Sequence, residues 1–305
     1  MTASTGTDES SGTHIGAFIA LVAGAVAMGA SPIFVRLVDV GPTTSAFWRV
    51  ALALPVLWAW DRYEARTAPA GSNGKLFSLP IVLAGIFFAC DLFFWHLAIL
   101  NTTVANATFF ATTAPFWVLF GTWLMKSEHI GRSVVVGLGL AMIGGGLLVG
   151  ESMQVDPERL SGDLYGLITA VFFGCYFLAV GAARKTHGAA RITFASTIIT
   201  ALILGVVALI REQNFFPDSA ASLAMLFALA LVSHAAGQGL LAFSLGHLPA
   251  TFSSLVIFLE AIAAALFGWI ILSEPISIIQ AIGGAVILLG IWIARPQGES
   301  LEERP

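Results

Sequence analysis

The sequence predicts an all-α polytopic membrane protein of ten transmembrane helices, arranged as two inverted five-helix repeats. Three observations predict it. Of 305 residues, 57% are hydrophobic and only 10% charged, with a mean hydropathy of +0.89, whereas a soluble domain carries about 25% charged residues to wet its surface. Apolar runs of spanning length recur from one end to the other. The second half of the chain also repeats features of the first with the opposite charge bias.

A spanning helix needs about 20 mostly apolar residues at about 1.5 Å each. The polar, acidic segment 1–14 lacks the cationic start of a cleavable signal peptide and is read as a tail, so the first run is retained. Runs of spanning length then fall at 15–36, 43–60, 79–100, 104–125 and 132–150, which form the first unit, 15–150. A linker, 151–162, is placed outside the membrane. The second unit, 163–295, holds runs at 163–184, 192–211, 221–245, 251–272 and 276–294, and a second polar tail covers 296–305.

Lysine and arginine set the orientation. With the N-terminus inside, Arg62, Arg66, Lys75, Lys126, Arg132, Arg184, Lys185, Arg191, Arg295 and Arg304 face the cytoplasm. Arg36, Arg159 and Arg211 lie outside, and Arg49 is within a span. Both termini are therefore placed in the cytoplasm, in a multi-pass protein of the cytoplasmic (inner) membrane. Laying Ser127-Glu128 on Ser273-Glu274 also brings Trp123 onto Trp269, Gly137 onto Gly283, Gly144 onto Gly290 and Gly16 onto Gly162. Because five spans is an odd number, such a repeat re-enters the membrane in the opposite sense, as transporter repeats do. Loops that correspond in the two halves differ in cation content in the direction this inversion demands.

The stretch "LNTTVANATFFATTAPFWVLFGTWLMKSEHIG" and its echo "LGHLPATFSSLVIFLEAIAAALFGWIILSEPIS" resemble the EamA family of the drug/metabolite transporter superfamily, over both halves. The resemblance implies a ten-helix bundle of two inverted repeats around a central cavity, and secondary transport of small metabolites. Pro115 matches the family pattern in the fourth span, whereas the ninth has Ala261 there, beside Glu260.

Charge at mid-bilayer costs about 2.5–3.5 kcal/mol per residue on insertion scales, so it faces a cavity or a partner. Arg49, Asp91 and Glu260 meet that description. Counted inward from the outer surface, Arg49 and Asp91 lie at similar depths and are expected to pair, either as a buried structural ion pair or as one that opens onto an anionic or zwitterionic solute. Glu260 is level with His234 and Gln238, which share a helix face at a spacing of four. This cluster is either a hydrogen-bonded tie between helices or a proton-coupling site, with Asp91 as a second candidate. Two stripes complete the candidate solute site: Asp91 with Trp95 on the third span, and Asn106, Phe110, Thr113 and Trp117 on the fourth. His96 points away from Asp91 and is read as a packing residue. Gly137, Ala141 and Gly145 on span 5, with Ala281 and Ala285 on span 10, are read as surfaces of close helix approach. Glu128 and Glu274 sit at span ends, and Pro32 and Pro115 are expected to bend their helices.

The function these features point to is a permease. It would move a small organic metabolite, such as an amino acid or related amphipathic solute, by alternating access, with export favoured and with proton coupling and facilitated exchange both open. Lipid bilayer and solute are the expected partners. The net charge of −4, with no basic patch, argues against nucleic acid. No metal or cofactor is expected, and no phosphate-binding Gly-x-x-x-x-Gly-Lys-Ser/Thr loop is present to use ATP. The alternatives are a membrane scaffold or receptor, or an intramembrane enzyme. The enzyme lacks His-Glu-x-x-His, Gly-x-Ser-x-Gly and any paired-aspartate motif.

Overall fold

The computed structural model describes residues 5–67, 75–102, 104–127, 129–150, 159–273 and 275–296. Glu128, Glu274, linker residues 151–158 and the tail from 297 lie outside them. The described secondary structure is helical throughout: α1 (Thr5–Gly29), α2 (Ser31–Arg36), α3 (Pro42–Ala51), α4 (Leu54–Thr67), α5 (Leu79–Asn101), α6 (Val104–Ala111), α7 (Ala114–Met125), α8 (Arg132–Val149), α9 (Leu160–Arg184), α10 (Ala189–Arg211), α11 (Ala220–Ala228), a π-helical segment (Leu229–Gln238), α12 (Gly239–Ser244), α13 (Ala250–Val256), α14 (Phe258–Leu272) and α15 (Ile278–Ala294). Eight helical runs are long and apolar enough to cross a membrane. The apolar α15 is shorter, and the stretch expected as span 43–60 is divided into α3 and α4. Residues 5–14, expected as a tail, continue α1 upstream.

The breaks have local causes. Proline removes the N–H that would bond the carbonyl four residues back, so Pro32 releases Met28, Pro55 releases Ala51 and Pro115 releases Ala111. Around Thr113 the chain tightens into two successive i→i−3 bonds, Thr113 N–H to Phe110 O (3.1 Å) and Phe116 N–H to Thr113 O (3.0 Å). The junction of α13 and α14 does the same without a proline, with Ile257 N–H to Ser254 O at 3.2 Å and Glu260 N–H to Ile257 O at 2.8 Å. The Ser254 hydroxyl there donates to Thr251 O at 2.9 Å.

Packing is reciprocal between the halves. Helix α5 packs on α9, and in exchange α1 packs on the π segment and α12. The pair α6 and α7 packs on α9, while α14 packs on α1. Helix α10 runs against both α3 and α4, and α8 packs on α15. In the last pair two glycine contacts bring backbones together. A Cβ on Gly137 would lie 2.5 Å from Gly290 O, and one on Gly144 2.6 Å from Gly283 O. Since 137 meets 290 while 144 meets 283, the two helices are antiparallel. Gly145 instead faces Phe258, and Ala281 and Ala285 are exposed. The contact stripe of α15 is therefore Gly283, Ile287, Gly290 and Ala294, rotated from the one expected, because only glycine admits backbone contact. The outer surface is apolar, with Leu202, Ile210, Trp123, Trp269 and Trp292 all more than half exposed, as suits lipid.

Candidate functional site

The helix breaks converge on one cavity of about 60 Å³. Ser31 and Pro32 enter it from the α1–α2 break, Arg49 from the turn before the α3–α4 break, Thr112 from the α6–α7 break, Ile257 from the α13–α14 break, and Gln238 from the end of the π segment. Broken helices are tolerated at membrane depth where they line a polar cavity. The continuous helices add Phe88, Asp91 and Trp95 from α5 and Thr169 and Phe173 from α9, and α14 contributes Glu260.

Five of the ten residues expected to bind solute meet here: Arg49, Asp91, Trp95, Gln238 and Glu260. Arg49 and Asp91 are 5% and 6% exposed, and Glu260 is half-buried. The guanidinium shares the cavity wall with both carboxylates. The expected ion pair is not formed, because no hydrogen bond or ion pair joins Arg49 to either carboxylate. Four buried polar atoms of the wall, Ser31 Oγ, Arg49 Nε, Thr169 Oγ1 and Gln238 Oε1, have no hydrogen-bond partner among the described residues. Native proteins satisfy more than nine-tenths of such groups. Together with two carboxylates and one guanidinium in the same wall, these groups give the cavity the make-up of a polar binding site. It can take a carboxylate on the arginine fork and an ammonium between the acids, with Phe88, Trp95 and Phe173 supplying apolar walls.

The other five residues lie elsewhere. His234 is buried behind the wall. Its Nε2 meets the Thr197 hydroxyl at 2.9 Å, and Phe88, itself a wall residue, stacks on the imidazole with centroids 5.4 Å apart. No hydrogen bond or ion pair joins it to Glu260. Gln238 reaches Met28 instead, its Nε2 donating to the thioether sulfur at 3.1 Å. On the fourth span, the stripe of Asn106, Phe110, Thr113 and Trp117 turns to α9 rather than to the cavity. Glycines on α9 receive it: a Cβ on Gly166 would lie 2.8 Å from the Phe110 Cβ, and one on Gly174 would lie 2.8 Å from the Trp117 Cβ. Asn106 Nδ2 donates to Asp163 Oδ1 at 3.0 Å, and the Thr113 hydroxyl to Phe110 O at 2.7 Å. The cavity face of this span is Thr108, Ala111 and Thr112. The signal that could have found it is the i, i+4 pair of threonines just before Pro115. His96 turns away from the cavity as expected, its Nδ1 donating to Leu92 O at 2.6 Å.

The model of the EamA-like transporter family matches residues 14–150 and 160–295. An uncharacterized transporter of Archaeoglobus fulgidus is 28% identical over 197 residues, 65% of this chain and 69% of the relative. A second from the same organism is 25% identical over 271 residues, 86% and 91% of the two chains. Pseudopaline exporter CntI of Pseudomonas aeruginosa is 24% identical over 209 residues, 68% of this chain and 72% of that one. One solved crystal structure superposes with a TM-score of 0.78 at 16% identity, over 93% of this chain and 97% of the other, which is a likeness of fold.

Proposed function

Because this chain belongs to the EamA-like transporter family, a family of multi-pass membrane transporters rather than enzymes, we propose that it is a secondary transporter of a small organic solute, working by alternating access. The observation that carries the reading is the convergence of Arg49, Asp91 and Glu260, without direct bonds between them, on a cavity rimmed by broken helices. The solute is an amino acid or related amphipathic zwitterion. Its anionic group lies on Arg49, its ammonium by Asp91 and Glu260, and its apolar part against Trp95 and Phe88. Export is the favoured direction, supported by a relative whose name is that of an exporter.

The small volume of the cavity supports the cycle. Its 60 Å³ accommodates about four waters, whereas pockets for organic ligands run to about 300 Å³ or more. Helices must part to admit a solute, and the breaks in spans 1, 2, 4 and 9 are the places where half-helices can tilt. Antiparallel α8 and α15, equivalents in the repeat, support ten spans in two inverted units, 15–150 and 163–295, and the distribution of lysine and arginine supports both termini in the cytoplasm, in a cytoplasmic membrane. Glu260 and Asp91 are the candidate proton carriers.

Metabolite profiling of cytosol and medium from cells expressing wild type, Arg49→Gln, Glu260→Gln or an empty vector tests the reading. A zwitterion that crosses with wild type and is lost with Arg49→Gln supports it. A solute moved equally by all three proteins removes these residues from the site. No movement of any solute by well-expressed wild type favours a scaffold.

A further inference from the structure

Helices α3 and α10 begin alike. Each has glycine at the N-cap in nearly the same conformation, Gly41 at φ −63°, ψ 159° and Gly188 at φ −66°, ψ 156°, and neither is capped by its own side chain. Each is closed instead by a glutamate of the other repeat. Glu212, at the end of α10, accepts Thr43 N–H on Oε1 at 2.7 Å and Thr44 N–H on Oε2 at 2.9 Å. Glu64, in the last turn of α4, accepts Ala190 N–H at 3.1 Å. A Cβ on either glycine would collide with the glutamate that closes its helix, so glycine is the residue that lets the carboxylate in. A carboxylate at a helix N-terminus gains both hydrogen bonds and the helix dipole.

These two clasps join the same antiparallel pair of spans at its two opposite ends. Each has reinforcement from the opposite repeat. Beside Glu212, Trp48 Nε1 donates to Phe215 O at 2.7 Å, and Asp39 accepts the Ser219 amide and hydroxyl at 3.1 and 2.9 Å. Beside Glu64, Arg191 Nε donates to Asp61 Oδ1 at 2.7 Å, and His187 Nε2 meets Lys75 O at 3.2 Å. Between the clasps, span 2 is interrupted at Leu52 and Ala53, just after Arg49. Its two halves, α3 and α4, can therefore tilt separately.

We propose, resting on the transporter reading, that Glu212 and Glu64 are the latches of two gates, one at each membrane face, and that the transport cycle releases them in alternation. Both are engaged here, where the cavity has a volume of about 60 Å³. Release of Glu212 frees the start of α3, the helix that carries Arg49, so solute held on Arg49 bears directly on that gate. Release of Glu64 frees the start of α10 at the other face.

The test is cysteine accessibility. Ala111→Cys places a thiol in the cavity wall, in a background with Cys90→Ser and Cys175→Ser, the two native free cysteines. A membrane-impermeant maleimide is applied to right-side-out and to inverted vesicles. Glu212→Ala removes two hydrogen bonds to a charged group and should speed labelling from one face by about tenfold or more, since one such bond alone gives about tenfold, and slow it from the other. Glu64→Ala should do the reverse. Should an alanine variant fail to fold, Glu212→Gln and Glu64→Gln keep one acceptor oxygen and are expected to shift labelling in the same directions by less. Folded variants that change labelling in the same direction from both faces, or not at all, overturn the proposal and leave the clasps as struts. The labelling needs no solute. Opposite shifts without any transported compound would therefore keep the gates and sink the transporter reading, and a transported compound without opposite shifts would do the converse.

Discussion

Replacing Gly144 with alanine should destabilise the protein, although alanine favours a helix over glycine by about 1 kcal/mol. The added Cβ would lie 2.6 Å from Gly283 O, 2.7 Å from Ile287 N and 2.9 Å from Ile287 Cγ1. Two of these three are backbone atoms of α15 and cannot rotate aside. An ordinary contact is about 3.5 Å or more, so α8 and α15 must separate by most of an ångström along a seam that Gly137 and Gly290 hold equally tightly. Overpacking of this kind costs about 1–3 kcal/mol, and the propensity gain offsets only part of it. Gly139→Ala is the matched control, because nothing lies within 4 Å of its added Cβ. Thermal unfolding in detergent, followed by the loss of the monodisperse peak, should place Gly144→Ala below wild type and Gly139→Ala at or above it. Equal midpoints for the two variants would refute the close approach of α8 and α15.

Three further outcomes follow from the same geometry. Trp95→Ala should change the rate or selectivity of transport at near-native stability, whereas Trp117→Ala, which empties the space opposite Gly174, should lower the unfolding midpoint with selectivity unchanged; flux assays on reconstituted protein separate the two. Asp61 is 1% exposed and holds Arg191 at 2.7 Å, so Asp61→Ala leaves a buried cation without this partner and should cost about 3–5 kcal/mol, while Arg62→Ala on the exposed side should cost under about 1 kcal/mol; the midpoint in denaturant reports both. Burial pushes Glu212 up, but the hydrogen bonds from Thr44 and Thr43 together outweigh it and hold the carboxyl below its ordinary value. The clasp is then fully stabilising above the unfolded-state value and is lost as pH falls through the lower folded-state one, so acidification should speed cavity labelling from the Glu212 face. Asp39, held low by Ser222 and then Ser219, moves in the same sense, so Glu212→Gln should flatten the response without abolishing it.

The long apolar runs were legible because a bilayer demands about 20 apolar residues in succession. The three charges were legible because nothing in such a run makes them cheap. What remained hidden depends on partners. The stripe of Phe110 and Trp117 has the spacing of a cavity face, but the glycines that turn it into a packing face, Gly166 and Gly174, are on another helix. His234 is drawn from the cavity by Thr197 on α10 and Phe88 on α5, two contacts with no trace in local sequence. The α15 stripe was displaced because alanine and glycine score alike as small residues, while contact at 2.6 Å admits glycine alone. Glu64 and Glu212 read as ordinary charges at span ends. Glycine at the two helix starts, Gly41 and Gly188, does not mark them either, since Gly131 begins α8 in the same conformation.

The symmetry of the scaffold and the asymmetry of the site serve different ends. Packing pairs, the α8–α15 glycine seam, the breaks of spans 4 and 9 and the N-terminal clasps recur when the halves are exchanged. The charges do not. Under the register that lays Glu128 on Glu274, Arg49 falls on Ala195, Asp91 on Gly237 and Glu260 on Ala114, each small and uncharged. Two equivalent faces give two equivalent ways of closing the cavity, as alternating access requires. A symmetric set of charges would present a solute with two equivalent poses and double the burial cost of about 2.5–3.5 kcal/mol per charge. In the proposed cycle, one guanidinium opposed by two carboxylates from different helices would fix a single pose, on which both gates would then act. It follows that restoring symmetry, by an arginine at Ala195 or an acid at Gly237, should weaken solute selectivity before it weakens the fold's reciprocal packing.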